Sequence, residues 1–336
     1  SPSRQHAGIP VAMATKSRLK ARNDHCMNPT APPAEAWHGR ATLRFSAEPA
    51  GATRVQGGAT APLKLLRHFS TIDGRCDVPL LHTAGGLVGG DALTIELHLD
   101  ANSRALISSV AAQKIYGSRH RSRVQPQGRW AQITTESELA AGAELEWLPQ
   151  ETVVFAGALL EVEHNVVLAA GASWLGMDVV RLGRTARGET LEDGCWRNRL
   201  NVRRDGRWLL VDRLELGGES LESCHGLDGQ PVVGSLVWAA PGPVEPQAME
   251  TLLEGARWDR SGLMGSMAIS PLEPGLIARY RGSSTQAARF WFFRIWCRIR
   301  AMQQQALPPW PRYWPFQERD LALSPAPATP TTRAAR

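Results

Sequence analysis

From Leu93 to Asp100 apolar and polar residues alternate without a break, Leu93, Ile95, Leu97 and Leu99 on one side and Thr94, Glu96, His98 and Asp100 on the other. A period of two predicts a half-buried strand. The stretch that leads into it, LLHTAGGLVGGD at residues 80–91, holds four glycines and closes on Asp91. Phosphate-binding glycine loops open onto a helix whose first amides face the ligand. Here a strand follows, so the glycines are expected to shape a turn, with Asp91 either capping that turn or offering an oxygen to a cation.

The same pattern recurs along the chain. Residues 160–168, LEVEHNVVL, alternate and set His164 on the apolar face with Leu160, Val162, Val166 and Leu168, where an imidazole is usually a hydrogen-bonded core group. Short alternating segments include ATLRFSAE, PLKLLRHFS, Ala131–Leu139, Trp174–Leu182, Trp208–Leu216 and Gly275–Arg281, and the small-residue stretch ALISSVAAQKIY reads as a strand and turn. In LEWLPQETVVFAGA, Pro149 predicts a bend between two strands, flanked by Glu146 and Glu151. Helices are expected near Met249–Trp258 and over Ser283–Met302. The second places Arg294 and Arg298 on one side and leaves most of its circumference apolar. Such a helix must be covered by a sheet, by a partner, or by both.

Composition narrows the class. With 336 residues, 43% hydrophobic, 31 glycines and 23 prolines, the chain suits a turn-rich β-protein of one large domain or two smaller ones. Five cysteines, widely spaced and never in a C-x-x-C pair, point to a reducing compartment and away from a zinc site. Cys224 and His225 are adjacent, a poor geometry for chelating one ion from a strand. No apolar run of signal-peptide or membrane-span length occurs, so a cytoplasmic protein is expected. Residues 1–36 read as a disordered basic and proline-rich leader and residues 317–336 as a disordered tail. The formal charge of +6 concentrates best in GSRHRSR, with Arg119, Arg121 and Arg123, a solvated loop or a contact for an acidic protein more readily than a nucleic-acid site. There is no G-x-S-x-G elbow, Walker lysine or H-E-x-x-H motif.

Taken in order, LLHTAGGLVGGD, SSVAAQKIYGS, LEWLPQETVVFAGA, LGRTARGE and GLIARYRGSS resemble the UreD (UreH) family of urease accessory proteins. The resemblance runs from about Trp37 to about Arg300. One departure is Ala156, where the family usually has an aspartate. The resemblance implies a mainly β fold, a single large domain (residues 37–316) of stacked short strands in a β-helix-like arrangement with a pair of helices towards the C-terminal part. It implies a non-catalytic scaffold that binds UreF, through it the GTPase UreG, and docks on apo-urease so that nickel passes through the protein; no cofactor is held tightly and Ni²⁺ is cargo. Neither nucleic acid nor membrane is an expected partner.

A transit path should hold Ni²⁺ weakly through oxygens and an occasional imidazole. That makes Asp91 and Glu189 the first candidates and His82, Glu146 and Glu151 the second; a capped turn or an ion pair, such as Arg184 with Glu189, is the structural alternative. Phe290, Phe293, Trp296 and Ile299 are the expected UreF contact. Two rivals remain: a carboxylate and metal-dependent hydrolase built on Asp91 and Glu189, and a basic nucleic-acid-binding β-protein resting on the charge and the Arg119 cluster.

Overall fold

The computed structural model describes residues 36–309 and 312–314. The expected leader, Ala36 apart, and the expected tail lie outside the described residues. The chain begins with β1 (His38–Ala47), β2 (Thr53–Ala59), β3 (Leu63–Leu65), β4 (Phe69–Ser70) and β5 (Cys76–His82). It then winds through β6 (Ala92–Leu99), β7 (Arg104–Ser109), β8 (Gln113–Ile115), β9 (Ala131–Leu139), β10 (Glu144–Leu148), β11 (Thr152–Val154), β12 (Leu159–Leu168), β13 (Ser173–Leu182) and β14 (Cys195–Arg204). It closes with β15 (Arg207–Leu216), β16 (Val232–Ala239), α1 (Pro246–Trp258), β17 (Ser266–Leu272), β18 (Gly275–Gly282) and α2 (Thr285–Met302).

From β5 to β14 the chain passes back and forth between two sheets. The first has the order β15-β14-β12-β9-β6-β1-β2, in which β1, β6, β9, β12 and β14 run parallel. The second has the order β17-β18-β16-β13-β10-β7-β5-β3, with β5, β7, β10 and β13 parallel. Each coil thus gives one strand to each sheet, the β-helix-like stack that the sequence led us to expect. The corner between the sheets is repeated. Asn102, Gly142 and Gly171 each take positive φ (58°, 67° and 70°), and in each corner the next residue donates its N–H to the carbonyl three residues back. A Cβ on Gly142 would stand 2.4 Å from Asn102 Oδ1 of the preceding coil, and the left-handed φ of this corner favours glycine.

Alternation then sorts the side chains. Leu93, Ile95, Leu97 and Leu99 are buried between the sheets with Leu43, Phe45, Leu160 and Val166. On the solvent side, the face of the first sheet is a polar ladder in which Asn165 donates to Glu136, Asn201 to Asn165 and Arg213 to Asn201. A second core lies between the other face of the second sheet and the two helices, joining Leu175, Met177, Val179 and Leu236 to Trp291, Phe292 and Ile295.

Fourteen of the eighteen residues of α2 are buried. Ser284 caps its N-terminus, accepting from the Ala287 N–H at 3.1 Å, and polar clamps fix two of its sides. Trp291 Nε1 donates to Ala256 O of α1 at 2.8 Å. Arg294 and Arg298 do share a side, but they bind Asp259 at the end of α1, Arg294 its carbonyl and Arg298 its carboxylate. On the sheet side Arg289 pairs with Glu151, and Arg300 with Glu146 at 2.6 and 2.7 Å. This corrects the partner contact expected of Phe290, Phe293, Trp296 and Ile299. All four are at most 6% exposed, and the surface that α2 was expected to offer a partner is spent on α1, the second sheet and Trp314, whose ring meets Phe293 edge-on.

Burial alone would raise the Glu146 pKa, but the guanidinium groups of Arg75 and Arg300 outweigh it and hold the carboxyl below the usual carboxylate range. Its contribution is therefore complete above the unfolded value near 4.5 and lost as pH falls through the depressed folded value. Glu146→Ala removes the bidentate partner of buried Arg300 and one of the three carboxylates facing fully buried Arg75, and should cost about 3–5 kcal/mol in denaturant unfolding at neutral pH. A loss under about 1 kcal/mol would show that the Glu146 cluster adds nothing to the hold on α2.

Candidate functional site

The two sheets do not meet everywhere. Between them lies a cavity of about 290 Å³ that extends from β3 and β5 across to β15 and β16. Much of its wall is apolar, from Leu63, Leu80, Ile95, Ile107 and Val162. Aromatic rings crowd the middle, where His164 of β12 meets Trp147 of β10 and Trp174 of β13 edge-on, with centroids 5.3 and 5.2 Å away. His164 Nε2 is 2.9 Å from Ser137 Oγ, and burial depresses its pKa to about 3. It is a neutral core imidazole, as the sequence suggested.

Polar groups gather at the ends. At one end is His82, the last residue of β5, beside the exposed Gly85 and Lys114 that also line the cavity. Its Nδ1 is 3.5 Å from Gln113 Nε2. Burial lowers its pKa against the pull of nearby Asp91, leaving an uncharged imidazole able to meet a cation. At the other end Asp178 projects inward from β13, in the same row as Trp174 and Gly176. Its side chain is partly buried and lines the cavity. Burial pushes its pKa up to about 6, although Arg279 and the Val179 N–H oppose this. Next to it Asp212 of β15 pairs with Arg279 of β18 at 2.6 Å, and Arg279 also donates to Ser235. That ion pair joins the edge of the first sheet to the second.

Of the five candidate nickel-contacting residues, Asp91, Glu189, His82, Glu146 and Glu151, only His82 lines this cavity. Asp91 caps the glycine turn, its Oδ1 accepting from the Trp37 N–H and its Oδ2 from the Val88 N–H, both at 2.9 Å. Glu189 closes another turn by accepting from Arg184 and from the Ala156 N–H at 3.0 Å. Glu146 and Glu151 point to α2 on the opposite face of the second sheet. The hydrolase expected from Asp91 and Glu189 therefore has no shared site, since each carboxylate is committed to its own turn. Asp178 and Asp212 were missed. An aspartate on the inward row of SWLGMDVVRL was the available signal, hidden by the apolar residues that flank it on both faces.

The sequence profile described as UreD urease accessory protein matches residues 38–315. A protein of Synechococcus sp. (strain RCC307) named urease accessory protein UreD is 64% identical over 300 residues, covering 89% of this chain and 97% of its own. Proteins of the same name from Synechococcus sp. (strain CC9902) and Parasynechococcus marenigrum (strain WH8102) are each 55% identical, over 85% and 88% of this chain and 93% and 97% of theirs.

Asp178 supplies a pH test. Its folded pKa lies above the unfolded value of 3.8, so stability is complete below that value and falls as pH rises through about 6. Asp178→Asn should remove that decline and be more stable than the native chain at pH 7, by up to about 3 kcal/mol. Equal or lower stability of the variant there would mean that Arg279 holds Asp178 ionised.

Proposed function

The chain belongs to the UreD family of urease accessory proteins, and on that premise we propose that it is a non-catalytic scaffold for assembly of the urease nickel centre. It binds UreF and through it the GTPase UreG, docks on apo-urease, and passes Ni²⁺ through the cavity between its sheets. The observation that supports this reading is the cavity itself, with an imidazole at one end and two carboxylates at the other. Single borderline and hard donors set apart along a path bind a divalent ion weakly enough for it to move on. His82 offers a neutral nitrogen, and Asp178 an oxygen that would release its remaining proton on meeting the ion. Arg279 neutralises Asp212 and keeps the far end from becoming a trap. Asp91 and Glu189 act indirectly, by holding the turns that frame the path. The UreF contact lies on a surface other than the buried face of α2.

The test is co-expression with urease subunits, UreF and UreG. The His82→Ala/Asp178→Asn double variant should co-purify with its partners as the native chain does, while nickel content and urease activity fall several-fold. Because Asp178→Asn is expected to stabilise the fold, such a loss would not reflect unfolding. Full activation in an intact complex would remove the cavity route.

A further inference from the structure

Between β8 and β9 the chain passes through GSRHRSRVQPQGRW, residues 117–130, without regular structure yet firmly held. The N–H groups of Ser118 and Arg119 both donate to Gly157 O at 2.9 Å, and the N–H of His120 donates to Pro126 O at 2.8 Å. Ser118 Oγ accepts from the Arg129 N–H at 2.7 Å. The glycine turn packs directly on this loop, since a Cβ on Gly89 would stand 2.1 Å from Ser118 Oγ and one on Gly90 2.4 Å from the Arg129 guanidinium. A loop so restrained loses little entropy on meeting a partner.

What it presents is unbalanced charge. Arg121, Arg123 and Arg129 are exposed, and the side chain of none of them forms an ion pair or hydrogen bond among the described residues. Arg40, Arg44 and Arg197 are matched with Glu96, Asp100 and Glu215, while Arg54, Arg67 and Arg203 are exposed and unmatched singly among the described residues; the loop differs in carrying three such arginines on one restrained segment. Exposed apolar side chains accompany the three, Val124 within the loop at 88% and Val88 of the glycine turn at 50%. Arginines mixed with apolar groups are a composition favoured at protein interfaces.

We propose that this loop is a docking site for an acidic protein surface, a role that rests on the accessory function proposed above and assigns it a contact. Nucleic acid fits the surroundings less well. Two aromatic rings beside the loop are already covered by cations, Trp130 by Arg197 at 4.3 Å and Phe155 by Arg184 at 4.5 Å, which removes them as platforms on which bases could stack. Asp193, paired with His120 at 2.8 Å, interrupts the positive track that a phosphate backbone would follow.

The experiment measures binding of the full-length chain to UreF, UreG and apo-urease separately, at about 50 and about 300 mM salt. The Arg121→Glu/Arg123→Glu/Arg129→Glu variant should bind one of them at least about tenfold more weakly, with the native affinity falling as salt rises. The glutamine triple, which keeps the loop's backbone contacts, should lie between. Partner binding that ignores the reversal overturns the docking loop and leaves the accessory function standing. No binding of any partner by the native chain overturns both. Tight binding of a random DNA duplex, abolished by the reversal, overturns the proposal in favour of a nucleic-acid site.

Discussion

The helical side of the molecule depends on Glu146. Its carboxylate receives the guanidinium of Arg300 and the indole N–H of Trp296 from α2, and Arg75 stands 3.5 Å away on the other side. Asp73, Glu144 and Glu146 together face Arg75, Arg104 and Arg300, so the cluster is balanced in charge despite its burial. Such a cluster adds little net stability over an apolar replacement, but a member missing from it is costly. Its value here is register. Arg289 and Arg300 are eleven residues apart, close to three helical turns, and they meet Glu151 and Glu146 across the bend at Pro149. A helix with large rings on several sides could settle on the sheet in more than one rotation; the two ion pairs admit one.

The same arginines explain why an apolar circumference is a poor guide to partners. Arg294 and Arg298 look like a solvent stripe in the sequence, and in the structure they hold the carbonyl and carboxylate of Asp259, which is fully buried. With those ends tied, the residues between them close a core. A side chain counts as interface surface only when its own chain leaves it uncovered, and periodicity carries no information about what lies opposite.

Alternation made most strands legible, and it fixed which residues of β6 and β12 face inward. The helix boundaries were also close, because Ser284 is a strong cap and Pro246 suits a first turn. What alternation could not give was the sheet to which each strand belongs. A signal for that existed in the corners, AAGA at residues 140–143 and again at 169–172, a repeat of the left-handed turn that sends the chain from one sheet to the other. Of β2, with two glycines, and β17, with Pro271, the sequence said little, as edge strands tolerate residues that inner strands reject. The candidate site was less legible still. The acidic residues that stood out in the sequence stood out because they sit at turns, where capping selects them, while Asp178 lay unnoticed in an apolar strand.

That aspartate returns the question to the space it faces. Interiors pack densely, and a dry void of 290 Å³ would cost about 7 kcal/mol at about 24 cal/mol per Å³, a figure comparable to the whole net stability of a domain. Larger side chains at a few wall positions would remove that cost. Instead the wall carries Asp178, Asp212, Asn198, Ser235 and His82, groups that solvate water or a cation and that an apolar core would exclude. A raised carboxyl pKa and a cross-sheet ion pair are further expense with no return in stability. A fold that keeps a polar-ended space against both packing and electrostatics bears a cost that packing alone does not explain, and it is on this space that the proposed nickel route rests.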